Sequence, residues 1–382
     1  MYHGPGGVIQ YFRVRDAKSV NGKRCTMDVP WLVPDYYREF RCKGGACRHT
    51  CCAFWPIAVS MEEYFRLIGM SCSGQLHHQI ESALHMAEQP TRAYYAQITP
   101  NWQGECPMHR PDGWCQLQLE GGEEALPELC RVYPRSLQWD GVRRVCVCSA
   151  SCEAVVEQLL HREAPLRLET EMIAGRHPEL REHVPVGATE ELRQLILLLQ
   201  NRALPLPERL RAAGALLGDD PGAPGDPREA LRSIVAMAKG MRTVSLSLQY
   251  FLGGLPERYE DDADAARWAA DAALLERLLP DWAILLEHLL CNHLCYDCFP
   301  YGDPRLSRAE AYRALAVLYA LLRLLCVGLC AEAADEEIGE REEHLVDGLA
   351  GAFRFVEHTP FAFNAAHDLH RRGLRAGTLL AL

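Results

Sequence analysis

Apolar positions in the second half of the chain recur with a helical period. Leu192, Leu195, Ile196 and Leu199 fall at i, i+3, i+4 and i+7, and Thr189, Glu190 and Glu191 ahead of them suit a helix start. A second helix is predicted from Asp226 as N-cap with Pro227 at its first position. Leu231, Ile234, Val235 and Ala238 mark its buried face, and Gly240 is a candidate end. Trp282, Leu285, Leu286 and Leu289 form one apolar face of a third, next to a stripe of Ile284, His288, Cys291, Cys295 and Cys298. Ser307 and Glu310 make a capping box before the apolar run Ala314 to Cys330. The first half lacks sustained periodicity and is rich in Gly, Pro, Trp and Cys. The fold class expected is mainly α: a loop-rich cysteine region with minor β, then an all-helical C-terminal region. The expected divisions are an N-terminal extension over 1–30, a cysteine-rich metal region over 31–160 and a helical region over 161–382, with a loop break at 218–227.

Composition narrows the partners. Apolar residues make up 48% of 382, ample for a buried core, and 40 basic against 51 acidic residues give a net charge of −11. That sign argues against nonspecific attraction to nucleic acid or anionic lipid. The N-terminus has no uninterrupted apolar segment of the secretory kind, and its first ten or so residues are expected to be loose. Arg313 and Arg323 interrupt the 314–330 run, which reads as a buried core helix and not a membrane span.

The chemistry-bearing residues are cysteines. Of 17, 12 lie in residues 1–152, among them Cys42-x4-Cys47-x3-Cys51-Cys52, Cys106, Cys115, Cys130 and Cys152. Thiolates at short, unequal spacings converge on a soft metal or an iron–sulfur centre, and Gly44 and Gly45 let the backbone turn tightly between the first two. A disulfide framework fits a long chain with an odd cysteine count poorly. His49 is a further ligand candidate if the metal is zinc, against its reading as a partly exposed loop residue. Cys146 and Cys148 alternate with Val145 and Val147 and suit a short strand; Cys326 and Cys330 read as core.

Three segments resemble the flagellin lysine-N-methylases, the FliB-type proteins: 33–59, 105–135 and 151–159. The run Phe40, Cys42, Gly44, Cys47, Cys51, Cys52 and Trp55 carries it, as does the Cys-Pro…Asp-Gly-x-Cys…Cys-Arg-x-Tyr-Pro-Arg pattern from Cys106 to Arg135. A weaker likeness covers 287–302. Arg48-His49 stands where the family has an acidic pair, and Glu153 where it has proline. The resemblance implies methyl transfer from S-adenosylmethionine (SAM) to lysines on flagellin, in the cytoplasm, by an enzyme carrying a [4Fe-4S] cluster. The charge balance and the interrupted apolar run, not the resemblance, argue against a nucleic-acid partner and membrane insertion. The implied metal ligands are drawn from Cys42, Cys47, Cys51, Cys52, Cys106, Cys115, Cys130 and Cys152, more than one cluster needs.

No Gly-x-Gly-x-x-Gly follows a recognisable strand, so the SAM pocket is not located by motif. Arg131, Tyr133 and Arg135 are candidates for lining it, because arginine forks suit a carboxylate; the competing reading is that they pin the cysteine loop. No residue is marked as catalytic. Two other function classes remain open. One is a noncatalytic zinc- or iron-chelating module. The other is a radical-SAM-type enzyme using Cys291-x3-Cys295-x2-Cys298, a spacing that buried helix packing explains equally well.

Overall fold

The computed structural model describes residues 28–139, 144–174, 187–223, 225–261 and 264–382. Most of the N-terminal extension, with Cys25 and the start expected to be loose, lies outside them. The described chain divides into two compact units, Arg41–Arg135 and Asp28–Phe40 with Ser136–Leu382. The division therefore falls at 40/41 and 135/136, not near 30 and 160.

Strand pairing gives the reason. Asp28–Pro34 runs antiparallel along its whole length to Leu168–Ala174 and parallel to Arg144–Cys148, in a four-stranded sheet completed by Arg135–Trp139. The sheet is sewn to the helices behind it, so the segments flanking the cysteine region belong to the helical unit. Val145, Cys146, Val147 and Cys148 are all buried, as a strand covered on both faces requires.

From residue 188 onward the regular structure is all helical. Arg308–Glu332 is its centre, opened by the Ser307–Glu310 capping box. By length and composition this helix would pass as a membrane span, yet 94% of its most apolar stretch is buried inside the unit. Arg323 is accommodated there with its guanidinium 3.7 Å from the centroid of the Trp282 ring and 3.6 Å from Glu276. The helix Ala188–Leu199 starts at Gly187, not at Thr189, and buries the four apolar residues of its predicted stripe. Pro227–Thr243 starts at Asp226 as expected but runs past Gly240, which keeps helical geometry with open space around its α-carbon and so gives the chain no reason to stop.

Helix Trp282–Tyr296 is enclosed on every side from Leu285 onward, polar residues included. Glu287, fully buried, accepts from Arg202 at 2.8 Å and Arg209 at 2.6 Å. Arg209 also donates to the carbonyls of Leu199 and Leu204. His288 Nδ1 lies 3.1 Å from the Leu159 carbonyl and Nε2 3.1 Å from that of Ala164, and the neutral ring that burial favours donates to one of them. Asn292 donates to Cys148 O at 2.9 Å and accepts from the Tyr36 hydroxyl. The buried polar groups of this helix thus fix its rotation and register against the sheet.

The other unit is smaller. A three-stranded sheet, Ile57–Val59, Ala96–Ile98 and Leu84–Met86, packs with helices Met61–Ile68 and Gly74–Ala83 around Val59, Leu67, Leu76, Ile80 and Ile98. Trp55, Cys72, Cys106 and Cys115 border this core.

Candidate functional site

Local backbone pairing brings the cysteines of the smaller unit together. Ala53 and Glu105 form an antiparallel bridge, with Cys106 N–H donating to Cys52 O at 2.7 Å, so Cys52 and Cys106 sit on adjacent strands. His109 and Cys115 form a second bridge, which folds 109–115 back on itself. Cys130 lies on the short helix Glu128–Val132. That helix is pinned to Met61–Ile68 by Glu63, whose carboxylate accepts the Glu128 N–H at 2.6 Å, and by Arg66 donating to Leu126 O at 3.0 Å.

The four thiols of Cys52, Cys106, Cys115 and Cys130 feel one another in every pairing. Burial, and then the Cys52 thiol, push Cys106 up to about 12. Burial raises Cys115 as well, and raises Cys130 furthest. Cys130 is exposed as a residue, yet burial of its thiol by the surrounding protein raises it. Such thiols hold their protons until a metal displaces them. Among the described residues no three His, Cys, Asp or Glu side chains stand at the separation one metal ion needs.

The first cysteine loop meets the third motif through glycines. A β-carbon on Gly113, at φ +82°, would lie 2.4 Å from Gly45 O, and one on Gly45 would lie 2.8 Å from the Trp114 indole nitrogen and 2.9 Å from Asp112 O. The Cys42–Cys47 loop therefore rests directly on the Asp112-Gly113-Trp114 turn, which explains why the two motifs carry glycine at these places. Gly113→Ala should force the two backbones apart at a cost of roughly 1–3 kcal/mol. Thermal unfolding checks this; an unchanged Tm would mean that the loop does not dock there.

Cys42 and Cys51 are exposed and Cys47 half-buried, with Gly44 N–H 3.4 Å from the Cys42 sulfur. His49 is a half-buried loop residue. Cys152 is in the helical unit, at the N-cap of Glu153–Leu160. Arg131 pairs with Glu128 and, at 3.5 Å, Glu124; Tyr133 packs on Trp55 with ring centroids 5.9 Å apart. Arg135 is half-buried at the unit's end. Cys291, Cys295 and Cys298 are fully buried, as are Cys326 and Cys330 to within 1%.

One polar constellation escaped sequence reading. In the helical unit, Ser149 Oγ donates to Glu357 at 2.5 Å and lies 2.5 Å from Ser151 Oγ, which is 2.9 Å from His358 Nε2. His293 Nδ1 stands 3.7 Å from the other Glu357 oxygen, beyond direct hydrogen-bond distance, and among the described residues neither atom has another hydrogen-bond partner. Serines and carboxylate are 208 residues apart, so no local spacing signals them; only the Ser-x-Ser preceding Cys152 is a hint.

Burial raises the Glu357 carboxyl, while burial and then Arg354 push His358 down to about 4 from 6.5. Between those two values the unfolded chain binds a proton at His358 that the folded one does not, so this group's stabilisation is lost as pH falls from about 6.5 to 4. Glu357 acts in the opposite sense, favouring the fold while protonated and losing that as pH rises, so a variant comparison isolates the histidine. His358→Asn should remove about 3 kcal/mol of acid sensitivity across that window, read from urea unfolding at both pH values. An acid limb identical to wild type would contradict the assignment.

No curated protein sequence and no solved structure matches the chain. A family model described as the FliB lysine N-methylase C-terminal domain matches residues 230–374. The match covers the helices that carry His293, Glu357 and His358, while the motifs that resemble the family in sequence lie mainly in the cysteine unit. Over residues 230–374 the chain is similar to the C-terminal domain of the FliB-type lysine N-methylases.

Proposed function

We propose that this protein is a SAM-dependent N-methyltransferase acting on surface lysines of flagellin, in the cytoplasm before export, with a [4Fe-4S] cluster held by Cys52, Cys106, Cys115 and Cys130. The observation that carries it is the pairing of a lysine N-methylase domain with a set of four mutually coupled thiols in a separate unit. The donor chemistry fits: four thiolates are the usual ligands of such a cluster. A single tetrahedral zinc would draw its thiolates to about 3.8 Å from one another, given its bond length. Four thiolates could equally hold a zinc, so iron and sulfide analysis separates the two. When bound, such a cluster supplies electron-transfer capacity and ties the cysteine loops together.

The chain itself must take a lysine, which at neutral pH is an ammonium, remove a proton and exclude water so that nitrogen meets the donor's methyl carbon. Buried Cys291, Cys295 and Cys298 lend no support to a radical-SAM site at that position. The test is anaerobically purified protein incubated with flagellin and SAM, with and without a reductant. Mass increments of 14 daltons that require SAM but not reductant support polar transfer; increments that need the reductant point to a radical route. No increment with cluster and donor intact favours the chelating module.

A further inference from the structure

Within the cysteine unit, the segment between Cys106 and Cys115 carries a histidine that the thiol quartet leaves unexplained. His109 faces Cys115 across an antiparallel bridge. The two hydrogen bonds that flank the bridge, Gln116 N–H to Met108 O at 2.8 Å and Arg110 N–H to Trp114 O at 2.9 Å, join neighbours of the pair and not the pair itself. Residues opposed in that way approach most closely, with α-carbons about 4.5 Å apart and side chains on one face. The His109 imidazole therefore shares a face with the Cys115 thiol.

The main chain ties the same residue to Cys106, with His109 N–H closing a turn on Cys106 O at 2.9 Å. The amides of Met108 and His109 favour the Cys106 thiolate, and those of Leu117 and Gln118 the Cys115 thiolate. His109 Nε2 is buried and has no hydrogen-bond partner among the described residues. A buried polar atom left unmatched costs roughly 1–3 kcal/mol, and it persists where something belongs that completes it. Gln79 Oε1 is unmatched in the same segment, and its amide nitrogen donates to Pro107 O at 3.0 Å. Gln79 thus reaches the chain at Pro107, whereas the bridge sets His109 beside Cys115.

We propose that His109 is a positioning residue of the thiolate centre, its Nε2–H donating to the Cys115 thiolate when the centre is loaded. The inference rests on the iron–sulfur reading above and adds a residue that sets the centre's reduction potential. A thiolate is a far better acceptor than the thiol it replaces, so an N–H idle beside protonated sulfur gains a charge-assisted bond once metal has displaced the protons. Four thiolates already supply one ligand to each of four irons, which leaves the imidazole a donor's part and not a ligand's. An added electron raises the negative charge on sulfur, so a donor aimed there stabilises the reduced form more than the oxidised one. His109 therefore raises the potential.

Redox titration of the anaerobically purified whole chain tests this, with iron and sulfide measured in each sample. His109→Leu should keep most of its iron and sulfide. It should shift the oxidised-to-reduced ratio at a fixed potential about tenfold toward the oxidised form, or about 59 mV for one electron. His109→Gln, whose amide keeps an N–H donor, should recover most of that shift. Gln79→Leu, which cuts the side-chain bond to Pro107 O and loosens the same segment, should lower Tm and leave the potential where it is. An unchanged potential in His109→Leu with the cluster intact overturns the proposal and leaves the cluster reading standing. Zinc without sulfide in the wild type overturns that reading, and the hydrogen bond to a cluster thiolate with it. Should His109→Leu fail to fold, pulsed EPR of reduced, 15N-histidine-labelled His49→Gln protein decides. A weak 15N coupling supports the donor; a strong one, from nitrogen bonded to iron, or none at all overturns it.

Discussion

Serine at Cys52, Cys106, Cys115 or Cys130 is expected to take the iron content of anaerobically purified protein from about four per chain to below one. Each substitution removes a thiolate from a set in which every member senses the other three. The loss should also lower stability, because the surrounding core is small and metal-binding energy is folding energy for such a unit. Serine at exposed Cys42 or Cys51 should leave more than half of the iron in place. Serine at Cys291 or Cys295 should leave all of it, while disturbing packing in the other unit. Iron and sulfide analysis of these variants decides. Retained iron in Cys130→Ser together with lost iron in Cys51→Ser would move the centre to the exposed loop.

Glu287→Gln is expected to destabilise the helical unit by about 3–5 kcal/mol. The carboxylate is wholly buried between Arg202 and Arg209, and both guanidiniums are already tied to backbone carbonyls, so neither can swing out to water when their partner is neutralised. Replacing Glu287 and Arg209 together by Met should cost less than the single change, because no uncompensated charge from that pair remains. Urea unfolding measures both. A single-variant loss below about 1 kcal/mol would mean that solvent reaches the cluster.

How far the chain could be read in advance depended on the range of the interactions. Local signals carried well: the Ser307–Glu310 box, Asp226 ahead of Pro227 and the Leu192 to Leu199 stripe each concern neighbours within a turn or two. Gly240 misled because a helix end is set by the packing of the residues beyond it, not by the glycine alone. The pairing of Asp28–Pro34 with Leu168–Ala174 joins segments some 140 residues apart, and nothing local announces it. The same limit governed the site. Sequence spacing offered eight cysteines and no means of choosing among them. The fold brings Cys52 near three thiols from 106 to 130, through a bridge, a folded-back turn and a pinned helix. Adjacent Cys51 and Cys52 sit in a turn just before the Ala53 bridge, one exposed and the other half-buried. His293 looked like one more residue of a core helix until Glu357, from a helix 64 positions on, came to lie beside it.

The most direct test of lysine methylation is the intact mass of flagellin co-expressed with this chain, compared with flagellin made alone. The account predicts added multiples of 14 daltons, mapped by peptide sequencing to lysines on the filament surface. Identical masses, with the protein folded and its iron present, would contradict it.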